Sequence, residues 1–282
     1  MEQVTTIAQL NDAISRMREA FGAPIALVPT MGALHQGHLS LVQAAIADGH
    51  QTVATIFVNP TQFAAHEDLE DYPNTQAEDL DKLRAQGASL VWTPTTDVIY
   101  PGSDATRVRL NGTLTEFWEG EFRPHFFEGV ATVVAKLLIA CRPDAAYFGE
   151  KDFQQLKVIQ QMAADLLLGV DIIGCPTVRE DDGLAMSSRN SYLSGEERKI
   201  APALKQTLDQ MAANLRDGMT STKANQLASK GLLEAGFRAV DYIDLVAADS
   251  LLPISTYAPE AEARILAAAF LGDTRLIDNI AI

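Results

Sequence analysis

The stretch Pro24–Ala47, PIALVPTMGALHQGHLSLVQAAIA, sets the expected fold. An apolar, strand-like run ends at Pro29, and an amphipathic helix is predicted to begin near Gly37 or His38. The same alternation recurs down the chain to VDIIGCP at residues 170–176. The intervening segments are TVATIFV, the helical AEDLDKLRAQG, ASLVWTP, a helix around Val130 to Ile139, DAAYFG, and a helix from about Phe153 to Leu168. Five such strands predict an α/β fold with a doubly wound, Rossmann-like parallel sheet.

The pattern changes after Thr177. A capping box at Ser194 and Glu197 predicts a helix that runs to about Arg216, and a second helix is predicted over Ser221–Ala235. Three strand patterns close the chain: RAVDYIDLVA, ARILAAAFLG and TRLIDNIAI. We therefore expect a Rossmann-like domain at residues 1–178 and a smaller α+β domain at residues 179–282.

Composition narrows the class of partner. A net charge of -15 and a pI near 4.7 leave no basic surface for a phosphate backbone, so we expect small-molecule substrates and no nucleic acid. The two cysteines, Cys141 and Cys175, are too sparse for a disulfide framework and are expected to be reduced and buried. Lys136 interrupts the longest apolar run, and the first residues resemble no signal peptide, so no membrane contact and a cytoplasmic location are expected.

The segment after the first strand is the main candidate for chemistry. In an open α/β sheet, ligands bind at the carboxyl ends of the strands, and a helix N-terminus favours an anion. Gly32 and Gly37 allow close approach of the backbone, and His35 and His38, three residues apart, share one face if the turn is helical. Two imidazoles there suit charge stabilisation during phosphoryl or nucleotidyl transfer. The alternative is that a histidine at a helix start is only a cap.

Two further turns carry cations. Ser187, Ser188 and Arg189 supply hydroxyls and a guanidinium suited to nucleotide phosphates, although such a string is also ordinary loop composition. Lys151 and Asp152 follow a strand directly, where Lys151 can meet a phosphate and Asp152 can fix that lysine, hold a ribose or reach a metal. An ordinary surface ion pair is the alternative there.

Amide side chains form a third group. Asn59 and Gln62 follow the strand TVATIFV, and Gln155 lies four residues after Lys151. Amides both donate and accept hydrogen bonds, so they can recognise a hydroxy acid without neutralising its carboxylate. A turn-forming Asn-Pro pair is the alternative account of Asn59.

Four strings, PTMGALHQGH, FVNPTQF, YFGEKDFQQL and MSSRNSYLS, closely resemble the pantothenate synthetase family in order and spacing, over essentially the whole chain. The His-x-Gly-His element belongs to a wider nucleotidyltransferase superfamily that includes class I aminoacyl-tRNA synthetases, so alone it indicates only α-phosphate chemistry. The strings FVNPTQF and GEKDFQQ narrow the resemblance from that superfamily to the pantothenate synthetase family. The resemblance implies an AMP-forming ligase that condenses pantoate with β-alanine, in pantothenate and coenzyme A biosynthesis, and a homodimer built through the N-terminal domains.

The resemblance also implies the roles of individual residues. His38 is the expected catalytic proton donor, His35 assists at the phosphates, and Lys151 and Arg189 are the main phosphate cations. Gln62 and Gln155 are expected to hold pantoate, and Gln62 also borders the β-alanine position. The implied ATP site comprises Met31, Gly32, Ala33, Leu34, His35, Gln36, Gly37, His38, Gly149, Glu150, Lys151, Asp152, Val178, Met186, Ser187, Ser188 and Arg189. ATP is expected as a substrate with Mg²⁺. Glu78 and Asp79 resemble an acidic stretch sometimes linked to magnesium, although acids in the first turn of a helix need no such reason.

The expected reaction is attack of the pantoate carboxylate on the α-phosphorus of ATP, followed by attack of the β-alanine amine on the adenylate. Because an acyl-adenylate must be kept from water, the small domain with Arg189 is expected to close as a lid. Three rivals stay open: a nucleotidyltransferase that keeps the nucleotide in its product, a tRNA synthetase, and a non-catalytic nucleotide-binding module. The acidic chain lacks the basic domain that a tRNA synthetase needs.

Overall fold

A computed structural model describes residues 1–63, 75–102 and 105–282. The chain divides into two units by its internal contacts. The first unit comprises Met1–Asn111, Arg123–Glu150 and Gln155–Pro176. The second unit comprises Gly112–Phe122, Lys151–Gln154 and Thr177–Ile282.

The first unit is built on a parallel sheet in the order β1-β4-β3-β2-β5-β6. Its strands are β1 (Glu2–Val4), β2 (Ile25–Thr30), β3 (Gln51–Ile56), β4 (Leu90–Trp92), β5 (Ala145–Gly149) and β6 (Asp171–Cys175). The predicted doubly wound sheet is confirmed, with β2 at the point where the strand order reverses. The edge strand β1 was not predicted, because three residues are too few to show a period.

Helices cover the sheet and also occur in the second unit. The chain contributes α1 (Ile7–Phe21), α2 (Gln36–Ala47), α3 (Gln76–Ala85), α4 (Thr96–Ile99), α5 (Thr113–Glu116), α6 (Glu119–Phe122), α7 (Phe126–Cys141), α8 (Phe153–Asp165), α9 (Gly195–Ile200), α10 (Ala203–Arg216) and α11 (Ser221–Ala235). In β2, residues 25–28 have no exposed surface, as expected for a strand covered on both faces.

Several predicted boundaries need correction. Helix α2 begins at Gln36, one to two residues before the predicted start, because His35 serves as its cap. Helix α8 ends at Asp165 rather than near Leu168. The helix predicted to run from Ser194 to Arg216 is divided into α9 and α10, and Pro202, which cannot donate a helical hydrogen bond, lies at the break.

The second unit contains an antiparallel sheet in the order β7-β8-β9. Its strands are β7 (Ala239–Ala247), β8 (Ala263–Leu271) and β9 (Thr274–Ala281), and the sheet shares one apolar core with α10 and α11. Residues such as Leu208 of α10, Leu232 of α11 and Ile265 of β8 are fully buried in that core. The α+β character expected for the end of the chain is confirmed.

The predicted domains are continuous in sequence, whereas the units are not. The change of unit between Pro176 and Thr177 lies close to the predicted boundary at 178/179. The stretches 112–122 and 151–154 both belong to the second unit, and the buried amide of Gln154 binds them to each other. Its Nε2 donates to the carbonyls of Leu114 and Phe117, and its Oε1 accepts from the N–H of Glu119.

Both cysteines are free and buried, as predicted. Burial raises the pKa of the Cys141 thiol well above its usual range, and burial together with the nearby Asp48 and Glu150 carboxylates raises the pKa of Cys175 to about 11. Both thiols are therefore protonated at neutral pH and serve as core residues. Among the described residues, no helix is long and apolar enough to cross a bilayer.

Candidate functional site

The loop Met31–His35 leaves the carboxyl end of β2, where β3 and β5 flank that strand on either side. Gly32 and Ala33 both have positive φ, 86° and 50°, so the chain turns sharply before α2. A Cβ atom on Gly32 would lie 3.2 Å from Asp79 Oδ2 and 3.3 Å from a methyl group of Ile56. Glycine is therefore required at this position by both its φ angle and the lack of space.

Two side chains of helix α3, one turn apart, form hydrogen bonds with the backbone of this loop. The Asp79 carboxylate accepts the N–H of Ala33 at 2.9 Å and the N–H of Leu34 at 2.8 Å. The Lys82 ammonium donates to the Leu34 carbonyl at 2.8 Å. We call these two side chains the α3 clamp. Sequence analysis identified neither as an anchor of this loop, because nothing in a single sequence links residues so far apart.

The two histidines lie side by side at the start of α2, with ring centroids 4.1 Å apart. His35 Nδ1 accepts the N–H of Gly37 at 3.1 Å, and His38 Nδ1 accepts the N–H of His35 at 3.4 Å. A ring nitrogen that accepts carries no proton, so each neutral ring has its proton on Nε2. With Nδ1 as the acceptor, Nε2 is the donor atom of each neutral ring, so the capping role and a donor role are compatible.

Gln62 lies next to the loop, in a 3-10 turn that follows β3. Its Nε2 donates to Met31 Sδ at 3.0 Å, and its Oε1 accepts from Asn59 at 3.1 Å. Asn59 is buried, caps the turn at Thr61 and accepts from the Tyr100 hydroxyl at 2.7 Å. These contacts favour the alternative account of Asn59 as a turn-forming residue. The Asn59 side chain also positions Gln62. Thioether sulfur is a weak acceptor, so the Gln62 donor can be redirected at little cost.

Gly129 of α7 brings that turn into place. A Cβ atom there would overlap the carbonyl of Thr61 and lie 2.9 Å from the Gln62 nitrogen. The Gly129 carbonyl also accepts from Asn59 Nδ2 at 3.3 Å. The backbone of α7 thus packs directly against the backbone that carries Gln62.

The remaining predicted residues of the first unit lie at the same edge of the sheet or near the start of α8. Gly149 ends β5, and Glu150 begins the 3-10 turn that follows it. Because parallel strands present their carboxyl ends at one edge, Gly149 and Met31 share that edge. Gln155 lies in the first turn of α8 and is partly exposed.

In the second unit, Lys151 is held by both its side chain and its backbone. Its ammonium lies 3.8 Å from Asp152, which supports the prediction that Asp152 fixes this lysine and also fits an ordinary ion pair. Its carbonyl accepts from Asn279 Nδ2 of β9 at 2.8 Å. Asn279, which sequence analysis missed, therefore ties the lysine backbone to the sheet.

The turn that carries Arg189 is anchored to the same strand. Val178 and Met186 are brought together, since the Met186 N–H donates to the Val178 carbonyl at 3.0 Å. Arg179 donates to both carboxylate oxygens of the buried Asp278, at 2.7 and 2.9 Å. Ser187 caps the following 3-10 turn, Ser188–Tyr192, by accepting the N–H of Arg189. Neighbouring residues 278 and 279 thus anchor both predicted cation segments within this unit.

The described residues hold no group of three or more His, Cys, Asp or Glu side chains arranged for a metal ion. Of the acidic pair that resembles a magnesium-linked stretch, Glu78 is exposed, while Asp79 is fully buried with both oxygens accepting N–H groups of the loop. Both carboxylate oxygens of Asp79 are thus hydrogen-bonded to the backbone of the loop.

The chain is similar over its whole length to proteins of one family. The family model described as pantoate-beta-alanine ligase matches residues 2–281. A pantothenate synthetase of Rhodopseudomonas palustris is 50% identical over 277 residues, 98% of this chain and 97% of that protein. A pantothenate synthetase of Acidiphilium cryptum is 50% identical over 282 residues and the full length of both chains.

Solved structures give the same picture. The crystal structure of pantothenate synthetase from Thermus thermophilus matches with a TM-score of 0.92 at 43% identity, covering 99% of each chain. The pantoate-beta-alanine ligase of Francisella tularensis, crystallised with beta-gamma ATP and beta-alanine, matches with a TM-score of 0.83 at 31% identity, covering 100% of this chain and 97% of that one.

The contact between α7 and the Gln62 turn gives a stability prediction. Gly129→Ala should destabilise the fold by about 1–3 kcal/mol, because the new methyl overlaps backbone that cannot move aside. Gly231→Ala in α11 is the matched control, since its methyl meets nothing within 4 Å, and it should stabilise by about 0.5–1 kcal/mol. Urea unfolding measures both, and equal stabilisation by the two substitutions would contradict the packing.

Proposed function

Because the chain belongs to the pantoate–β-alanine ligase family, we propose that it condenses pantoate with β-alanine at the expense of ATP. The reaction proceeds through a pantoyl-adenylate and releases AMP and pyrophosphate. The observation that carries the proposal is the pair of adjacent imidazoles that follows the carboxyl end of β2, each of which accepts a backbone N–H group at Nδ1 and so has Nε2 as its donor atom.

In the first half-reaction, one carboxylate oxygen of pantoate attacks the α-phosphorus of ATP. The bond between that phosphorus and the oxygen bridging to the β-phosphorus breaks, and pyrophosphate leaves with the electron pair. The attacking carboxylate is already ionised at neutral pH, so the site needs positioning and charge stabilisation rather than a base. His38 and His35 donate through Nε2 to oxygens on which negative charge develops.

Each unit contributes residues to the proposed ATP contacts. In the first unit, residues 31–38 present the N-terminus of α2 to the phosphates, and Gly149 and Glu150 border the same sheet edge. In the second unit, Lys151 and Arg189 supply positive charge, and residues 178 and 186–188 supply backbone and hydroxyl groups beside Arg189. Asp152 steadies Lys151. Mg²⁺ enters as the ATP complex, because it keeps phosphate and water ligands more readily than an all-protein cage.

Gln62 and Gln155 bind pantoate, and Gln62 also borders β-alanine. Support for Gln62 comes from its fixed position against Met31 and Asn59. In the second half-reaction, the β-alanine amine attacks the carbonyl carbon of the adenylate, and AMP leaves with the carboxylate oxygen that joined it to the acyl group. A homodimer built through the N-terminal part of the chain stays a prediction.

The direct test is product analysis. Purified protein with magnesium-ATP, pantoate and β-alanine should form AMP, pyrophosphate and pantothenate in equal amounts, and no pantothenate when either acid is omitted. Mass spectrometry of the mixture measures all three. A nucleotide retained in the organic product would identify a nucleotidyltransferase instead, and ATP binding without pyrophosphate release would indicate a binding module.

His38→Ala should lower kcat by about 10²- to 10³-fold, the usual loss when one preorganised transition-state donor is removed. His50→Ala is the control: that histidine precedes β3, at the opposite end of the strand from the candidate site, and should keep wild-type turnover. Steady-state kinetics on folded variants decides, and near-normal turnover in His38→Ala would refute the donor role.

A further inference from the structure

The loop between β2 and α2 depends on a charged clamp supplied by a different part of the chain. Asp79 has no exposed surface, and each of its oxygens accepts a backbone N–H of the loop. The Thr75 hydroxyl donates a third hydrogen bond, to Oδ2 at 3.0 Å. A buried carboxylate with three donors is satisfied and strongly directional.

Lys82 completes the arrangement. It donates to the Leu34 carbonyl and lies 3.9 Å from Asp79 Oδ1. The clamp therefore binds two N–H groups and one carbonyl over Ala33 and Leu34, directly before the His35 cap. Asp79 also lies in the first turn of α3, where the helix N-terminus favours negative charge.

The clamp determines where the histidines lie. Ala33 adopts a positive φ, which is unfavourable for a residue with a side chain unless other contacts hold it. His35 follows two residues later, and its backbone N–H donates to Nδ1 of the His38 ring at 3.4 Å. A shift of Ala33 and Leu34 is therefore transmitted to both imidazoles.

We propose that Asp79, with Lys82, is the positioning group for the nucleotide-binding loop, setting the orientation of His35 and His38 during adenylate formation. The proposal rests on the proposed function for its catalytic consequence. It assigns Asp79 to the backbone of the loop and not to a metal ion, since both of its oxygens are already hydrogen-bonded.

Asp79→Asn tests this role with almost no change in size. The amide places an NH₂ group against a backbone N–H, so one hydrogen bond is replaced by a donor–donor contact. We expect kcat for adenylate formation to fall about 10- to 100-fold, because a small misplacement of catalytic groups is costly. The KM for β-alanine, which enters after adenylation, should change less than twofold.

Asp81→Asn is the matched control on the same helix. Its side chain is 78% exposed and accepts a hydrogen bond from Arg84 on the same helix, so turnover should be unchanged. Lys82→Met provides a second variant should Asp79→Asn not fold: it removes the bond to the Leu34 carbonyl and the ion pair with Asp79 but keeps both bonds from the loop N–H groups to Asp79, and it should give a smaller loss in the same direction.

Hydrogen–deuterium exchange of the 31–38 segment supplies a readout that needs no turnover. Exchange there should accelerate in Asp79→Asn and Lys82→Met, and remain at the wild-type rate in Asp81→Asn. If the wild-type chain forms no adenylate, the proposed function fails while this exchange result still tests the clamp.

Two outcomes would overturn the proposal. One is wild-type kcat and loop exchange in folded Asp79→Asn. The other is a loss of activity that higher Mg²⁺ concentrations restore while loop exchange stays at the wild-type rate, because that combination would identify Asp79 as a metal ligand.

Discussion

The hydrogen bonds from Ala33 and Leu34 to the buried Asp79 carboxylate are the constraint on which the candidate site depends. The chain leaves β2 through two residues with positive φ, and a loop of that shape needs an external acceptor for its N–H groups. With those groups bound beneath the loop, His35 can cap α2 and orient His38. The hydrogen bonds to the Asp79 carboxylate thus offset the conformational cost of the turn. The positions of the His35 and His38 rings depend on this turn.

In the second unit, too, residues distant in sequence hold the segments that carry the proposed ATP-binding groups. Asp278 and Asn279 are neighbours on β9, so their side chains lie on opposite faces of the strand. Asp278 binds Arg179 beside the turn that carries Arg189, and Asn279 binds the carbonyl of Lys151. A regular strand therefore anchors two irregular segments with cationic side chains. In both units the groups proposed to meet ATP lie on loops, on 3-10 turns or in the first turn of a helix, and regular elements fix those segments.

Local patterns predicted most of the regular structure, and long-range contacts account for what they missed. Helix α11 lies over Ser221–Ala235 as predicted, because a regular period and clear ends suffice to define it. The string MGALHQGH was recognised from its two histidines and two glycines between a predicted strand and a predicted helix. By contrast, Asp79 is read from the sequence only as an acid in the first turn of a helix, and no sequence pattern points to Gly129. Their roles depend on contacts with residues 33–34 and 61–62, and no spacing in a single sequence reports such contacts.

The side chains described above position other groups, as suits a reaction in which the protein forms no covalent bond to a substrate. The acyl group is activated only if a pantoate oxygen becomes bonded to the α-phosphorus, and that oxygen must then depart with AMP. Pantoate labelled with ¹⁸O in its carboxylate therefore provides the most direct measurement, with AMP analysed by mass spectrometry after a single turnover with β-alanine. The account predicts one ¹⁸O atom in each AMP formed. Unlabelled AMP, or label appearing in inorganic phosphate, would contradict adenylation of pantoate.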